Sequence, residues 1–215
     1  REETEVIEAN TFSSGENSFR KIKQMFLEDQ IESQLTKIFF SGKIIRNLYI
    51  PTSSGKNSEI DLLVIHETGL YIIEAKNLSG YIEGDWSSEY LKIKYSSGKE
   101  YDMYNPIIQN SLHYDCLKSV LGINEKNSIK NIVILGEQVK YNILAYEKTR
   151  PNYANVFTVN NMVKEIKKIK EYSKIKKDAT WVSQIYNNLT INTDISKDEK
   201  TAHIDRIKKT YQKIL

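Results

Sequence analysis

The chain has 215 residues, 40% apolar and 27% charged, which is enough to bury one substantial core and ordinary for a globular protein. Its formal net charge of +3 permits an acidic partner such as nucleic acid without arguing for one. A single cysteine, Cys116, excludes an internal disulfide framework and a multi-cysteine zinc site, and its place after His113 in a helical stretch reads as a small buried hydrophobe. No run approaches the roughly 18 to 20 apolar residues that cross a bilayer, so a cytoplasmic location is expected. Because the chain starts at Arg1 rather than methionine it reads as a trimmed piece, and an anchor or leader removed upstream would leave no trace.

After a polar start over residues 1–12, Ser13 and Glu16 have capping-box spacing, and Phe19, Ile22, Phe26, Leu27, Ile31 and Leu35 continue as a helical stripe. Residues 44–50 (IIRNLYI) read as a strand ended by Pro51 and a polar loop. Two apolar runs follow, Ile60 to Ile65 and Leu70 to Ala75, separated by His66, Glu67, Thr68 and Gly69. This is a hairpin signal, with Gly69 free to take positive φ. Gly80 to Trp86 and Tyr90 to Tyr95 read as more exposed strands. Asn105-Pro106 opens a helix to about Leu121, with Pro106 at a tolerated early position and Asn105 as its cap. Strands are then expected over Asn131 to Leu135, Asn142 to Tyr146 and Val156 to Val159. Asn160 or Asn161 would cap the lysine-rich helix that follows. Asp178 to Leu189 carries Trp181, Ile185 and Leu189 on one face, and a last helix is expected from Ser196. The layout is a mixed α/β domain over residues 13–160, with 161–215 as a helical extension packed on it.

The hairpin holds the chemistry. With its turn centred near Glu67 and Thr68, residues whose numbers sum to 135 lie opposite one another, so Asp61 faces Glu74, whereas a bulge at Gly69 would shift the register by one. Alternation then puts Glu74 and Lys76 on one side. The neighbours Ile60, Leu62, Val64, Ile72 and Ile73 mark both strands as interior. Two carboxylates and an ammonium there are costly unless they pair or bind a metal. A divalent cation relieves the repulsion between the carboxylates, and hard oxygen donors suit Mg²⁺ or Mn²⁺ rather than zinc. A buried salt bridge from Lys76 to Glu74 or Asp61 is the alternative left open by the pattern alone.

Asp61 followed by Glu74-Ala75-Lys76 resembles the signature of the PD-(D/E)xK nucleases, and more narrowly the nuclease-related domain (NERD) family. The resemblance runs through Gly15-Glu16, Glu59-Ile60-Asp61, Gly69 to Asn77, Gly80 to Gly84, Trp86, and Asn105 to Asn110 with His113, covering roughly residues 12–121. It implies a restriction-endonuclease-like core, a central mixed β-sheet flanked by helices. It further implies that Asp61 and Glu74 ligate the metal and that Lys76 orients or activates the attacking water. Glu16 matches the position of an additional acidic group near the metal, alongside its capping role. Gln109 and His113, four apart on one helix face, are similar to a Gln-x-x-x-Tyr element with histidine in the tyrosine's place. This implies substrate contact or positioning of Lys76, with helix-to-sheet hydrogen bonding as the alternative. Asn77 and Trp86 read as structural.

The expected activity is Mg²⁺- or Mn²⁺-dependent hydrolysis of phosphodiester bonds in DNA, by an endonuclease or nickase. An RNA-directed nuclease and a non-catalytic nucleic-acid-binding module with the same fold are the alternatives. DNA is the expected partner ahead of RNA, and a homo-oligomer is compatible with the sequence. Lys164 to Lys177 holds seven lysines that could track phosphates, but Glu165 and Glu171 interrupt the charge and a solvated face is the commoner use. The 14 tyrosines are mostly packing residues, and His66 and His203 have no partners at ligand spacing.

Overall fold

The computed structural model describes residues 14–52, 57–144 and 154–192, with only the backbone course of 14–17. In chain order it runs α1 (Ser14–Ile38), β1 (Lys43–Pro51), β2 (Asn57–His66), β3 (Gly69–Lys76), β4 (Gly80–Asp85), β5 (Tyr90–Lys94) and β6 (Glu100–Tyr104). It continues with α2 (Pro106–Leu121), β7 (Ile129–Leu135), β8 (Val139–Leu144), β9 (Ala154–Thr158), α3 (Val159–Glu171) and α4 (Ala179–Asn192). Ser13, the helix expected from Ser196 and His203 lie outside the described residues.

Five strands form a mixed sheet in the order β1-β2-β3-β7-β9, antiparallel from β1 to β3 and parallel from β3 to β9. Both of its faces are apolar, as a sheet covered on two sides requires. On one face Leu62, Val64, Tyr71, Ile73, Ile132 and Ile134 pack against Leu27, Ile31 and Leu35 of α1 and Met162 and Ile166 of α3. On the other, Leu63, Ile65, Leu70 and Ile72 meet Tyr114 and Leu117 of α2 and Val182 and Leu189 of α4, with half-buried Cys116 at the margin. A second sheet, β6-β5-β4-β8, buries Ile82, Leu91, Ile93 and Met103 against Ile107, Val133 and Leu135. Strand β6, and the separation of this sheet from the first, go beyond what the sequence predicts.

The hairpin pairs as expected: Leu62 with Ile73, Leu63 with Ile72, Val64 with Tyr71, Ile65 with Leu70 and His66 with Gly69. Gly69 has φ 114°, and a Cβ there would stand 2.5 Å from the Ser128 carbonyl oxygen, so only glycine fits. Side-chain alternation is interrupted one rung beyond Leu62. There Asn47 of β1 takes φ 52°, while its neighbours keep register as Arg46–Leu62 and Leu48–Ile60. As a result Ile60 and Leu48 face the α2 side together with Leu63 and Ile45, whereas Leu62 and Ile44 face α1. Asp61 sits at this crossover.

Helix α2 starts where Asn105 Oδ1 accepts the Ile107 N–H at 3.0 Å, and it ends at Gly122 in the left-handed region. The Asn105 amide also donates to the Trp86 and Ser88 carbonyls, which ties α2 to the β4–β5 connection. Helix α3 differs from expectation. It begins at Val159 with Thr158 as N-cap residue and no side-chain cap bond, so Asn160 and Asn161 lie in its first turn.

Candidate active site

Strand β3 is buried along its length apart from Lys76, so it carries Glu74 inside the molecule with its side chain 1% exposed. Alternation puts Glu74 on the face covered by α2, together with Ile72. Lys76 follows on that side and donates to Glu74 Oε1 at 3.0 Å. The expected placement of these two residues is what the structure shows. The other oxygen, Glu74 Oε2, is buried and accepts no hydrogen bond among the described residues. His113 Nδ1 of α2 stands 3.7 Å from it.

Asp61 enters differently. The β2–β3 ladder ends at Leu62–Ile73, and beyond it Asp61 Oδ2 accepts the Ala75 N–H at 2.8 Å. A side-chain oxygen takes the place of a strand carbonyl, so the carboxylate lies in the gap between the two strands. On the other side of Ala75, Gln24 of α1 donates from Nε2 to the Ala75 carbonyl at 2.8 Å and accepts the Asn77 N–H through Oε1 at 2.9 Å. Asn77 in turn donates to the Lys23 carbonyl, a structural role as its sequence suggested. The end of β3 is thus held by α1 on one face and faces α2 on the other.

Burial dominates the electrostatics of the site. Burial raises the Asp61 carboxyl well above the ordinary range, and the charges of Glu74 and Glu28 push it the same way against Lys76 and the Ala75 N–H. Burial also raises Glu74, with Lys76 opposing and with Glu28 and Glu59 adding to the rise. His113 is lowered to about 4 by burial first and by Lys76 second, so it is neutral at physiological pH. Glu28 is engaged by Arg46 at 2.9 Å and Gln24 at 2.8 Å, and Glu59 accepts from the Tyr49 hydroxyl at 2.9 Å. Arg46 also meets Asp29 and Glu32, so one cation serves three carboxylates of α1.

Of the residues singled out from sequence, Asp61, Glu74, Lys76 and His113 converge. Gln109 lies half-buried one turn before His113 on α2. Glu16 belongs to the first turn of α1, but its side chain lies outside the described residues. Among the described residues no group of three or more His, Cys, Asp or Glu side chains is arranged to hold a metal ion. Two carboxylates, one with an unpartnered buried oxygen, still provide hard donors of the kind Mg²⁺ or Mn²⁺ takes. Gln24, Glu28, Asn110 and Asn131, none of them predicted as site residues, reach this region from distant segments. Glu28 with its neighbour Leu27 gave only a helical stripe, whereas Asn110 stood inside the Asn105 to Asn110 motif without an assigned role.

Of the weaker signals, Lys168 pairs with Glu165 at 3.1 Å, and Lys170 donates to the Ile38 carbonyl at 2.6 Å. These two lysines of the basic helix are spent within the protein. His66 is buried, with Nδ1 accepting the Thr68 N–H at 3.1 Å in the turn. No helix among the described residues is long and apolar enough to cross a membrane.

An uncharacterized protein of Bacillus anthracis is 26% identical over 139 residues, which cover 57% of this chain and 63% of that protein. The match therefore spans less than two thirds of the relative's length. No solved structure matches the chain. The model of the nuclease-related domain matches residues 21–136, more than half of the chain and the stretch from α1 through β7. The chain belongs to the nuclease-related domain (NERD) family, within the PD-(D/E)xK group.

Proposed function

We propose that the chain is a Mg²⁺- or Mn²⁺-dependent nuclease that hydrolyses phosphodiester bonds in DNA, as an endonuclease or nickase. The observation that carries this reading is Glu74 Oε2, a carboxylate oxygen buried without a hydrogen-bond donor among the described residues and close to a second carboxyl, Asp61. Leaving such an atom unpaired costs on the order of 1–3 kcal/mol or more, and a cation ligand is the partner that its chemistry fits.

In this reading Asp61 and Glu74 hold the cation, with Glu16 of α1 as a further acidic ligand. What a divalent cation supplies when bound is Lewis-acid polarisation of a phosphoryl oxygen and a lower pKa for bound water. Lys76 holds positive charge at Glu74 Oε1, from where its ammonium reaches the attacking water and the equatorial phosphate oxygens. Gln109, on the α2 face beside the site, contacts the phosphate backbone. Burial of Glu74 limits the access of bulk water to its oxygens, while Asp61 is only half-buried.

The test is cleavage of plasmid DNA and of a length-matched RNA with Mg²⁺ or Mn²⁺. Asp61→Asn and Lys76→Ala are each expected to lower the rate about 100-fold or more, and EDTA to abolish it. Wild-type rates in both variants would end the assignment, and faster RNA cleavage would redirect it to RNA. The Lys76–Glu74 ion pair favours a second reading, a non-catalytic nucleic-acid-binding module of the same fold. DNA binding with no metal-dependent turnover would support that reading. The proposed location is cytoplasmic.

A further inference from the structure

Four polar side chains lie fully buried between α2 and the sheet: Asn110, His113, Asn131 and Glu74, each 2% exposed or less. Asn110 Nδ2 is near three acceptors, Asn131 Oδ1 at 2.7 Å, the Ile132 carbonyl at 2.9 Å and the Ile72 carbonyl at 3.4 Å. An amide oxygen cannot occupy that position, so the orientation of the Asn110 carboxamide is fixed by its surroundings. Its Oδ1 is thereby turned to His113 Nδ1, at 3.4 Å. Oδ1 can only accept, so a hydrogen bond between the two requires the imidazole proton on Nδ1. The same nitrogen stands 3.7 Å from Glu74 Oε2.

We propose that Asn110, anchored by Asn131, sets the tautomer and tilt of His113 so that its Nδ1–H restrains Glu74 Oε2, making His113 and Asn110 positioning residues for the candidate metal-binding carboxylate. The proposal rests on Glu74 being a cation ligand. Lys76 addresses one oxygen of the carboxylate and His113 the other, so the Glu74 rotamer is held from both ends. At 3.7 Å the His113 contact is longer than a hydrogen bond, which leaves Oε2 available for a cation while barring its rotation toward α2. Helix-to-sheet attachment alone does not account for the histidine. Asn110 already bonds to β3 and β7, and an apolar side chain at 113 would fill the interior without desolvating an imidazole.

The experiment has two arms on the full chain. In the first, long-range ¹H–¹⁵N correlation on the wild-type protein reads the His113 tautomer without any substitution. A protonated Nδ1 is expected, and a protonated Nε2 with bare Nδ1 overturns the proposal. In the second, Mn²⁺ affinity is measured by titration in the absence of nucleic acid for the wild type, His113→Leu, His113→Gln and Asn110→Leu. The leucine variants are expected to bind Mn²⁺ about 10- to 100-fold more weakly. His113→Gln, which retains a donor, should recover part of the loss, and kcat for DNA should fall more than KM changes. Wild-type Mn²⁺ binding unchanged in folded His113→Leu overturns this proposal alone. A wild-type chain that binds no Mn²⁺ overturns the nuclease reading and this proposal with it.

Discussion

Asp61 serves the protein in two ways that substitution separates. Its Oδ2 accepts the Ala75 N–H, and its charge sits where burial and Glu74 raise the carboxyl pKa. Asparagine keeps an acceptor and removes the charge, whereas alanine removes both. In metal-free protein near pH 7, Asp61→Asn is therefore expected to be more stable than the wild type. Asp61→Ala should lose about 1–3 kcal/mol relative to the asparagine variant through the orphaned N–H. The pH dependence follows from the direction of the shift. A folded-state pKa above the ordinary value of about 4 means that the Asp61 contribution is fully present below that pH. It is lost as pH rises through the folded pKa. The stability advantage of Asp61→Asn, read from urea unfolding with EDTA, should then grow from pH 4 upward, and an advantage that shrinks with pH would contradict the assigned shift. Added Mn²⁺ should raise the melting temperature of the wild type more than that of the variant.

At the scale of elements, the β2–β3 hairpin was legible from its short glycine-ended connection, and the structure settles the register by pairing His66 with Gly69. The same pattern placed Glu74 beside Lys76. Gly69→Ala tests that connection. It puts a Cβ against the Ser128 carbonyl and forces an L residue to φ 114°, so a loss of more than about 1 kcal/mol is expected in thermal or urea unfolding. Strand β6 was not legible because it is only five residues long, although Glu100, Tyr101, Asp102 and Met103 do alternate. Tyr101 is half-buried and Met103 buried opposite Ile93 and Leu91 of β5. The crossover at Asn47 was hidden for a related reason, since a single left-handed non-glycine residue leaves no periodic trace. The site's supporting residues Gln24 and Asn131 are separated from β3 by long stretches of chain, and their side-chain types alone did not distinguish them from surface polar residues.

For the whole molecule, the sandwich depends on helices α3 and α4. Met162 and Ile166 of α3 close the face shared with α1, and Val182 and Leu189 of α4 close the face shared with α2. The division into a core over 13–160 and a helical extension over 161–215 is a proposal about sequence organisation, but the packing makes the extension a partner in both cores. A chain ended after Asn160 is expected to lose cooperative thermal unfolding and to bind a dye for exposed apolar surface, because both sheet faces would meet water. A sharp melt like that of the full chain would show that the shorter unit folds alone. The weakly positive net charge says little about partners at this scale. The site itself gathers Asp61 and Glu74 under the influence of Glu28 and Glu59, with Lys76 as the opposing cation.

Because the Ala75 amide is bonded to a carboxylate instead of a neighbouring strand, its proton is a built-in probe of what Asp61 is doing. Any ion that draws electron density from that oxygen weakens the bond. The amide resonance of Ala75 should then move upfield and its hydrogen exchange quicken, while amides along the regular ladder from Leu62 to His66 stay unchanged.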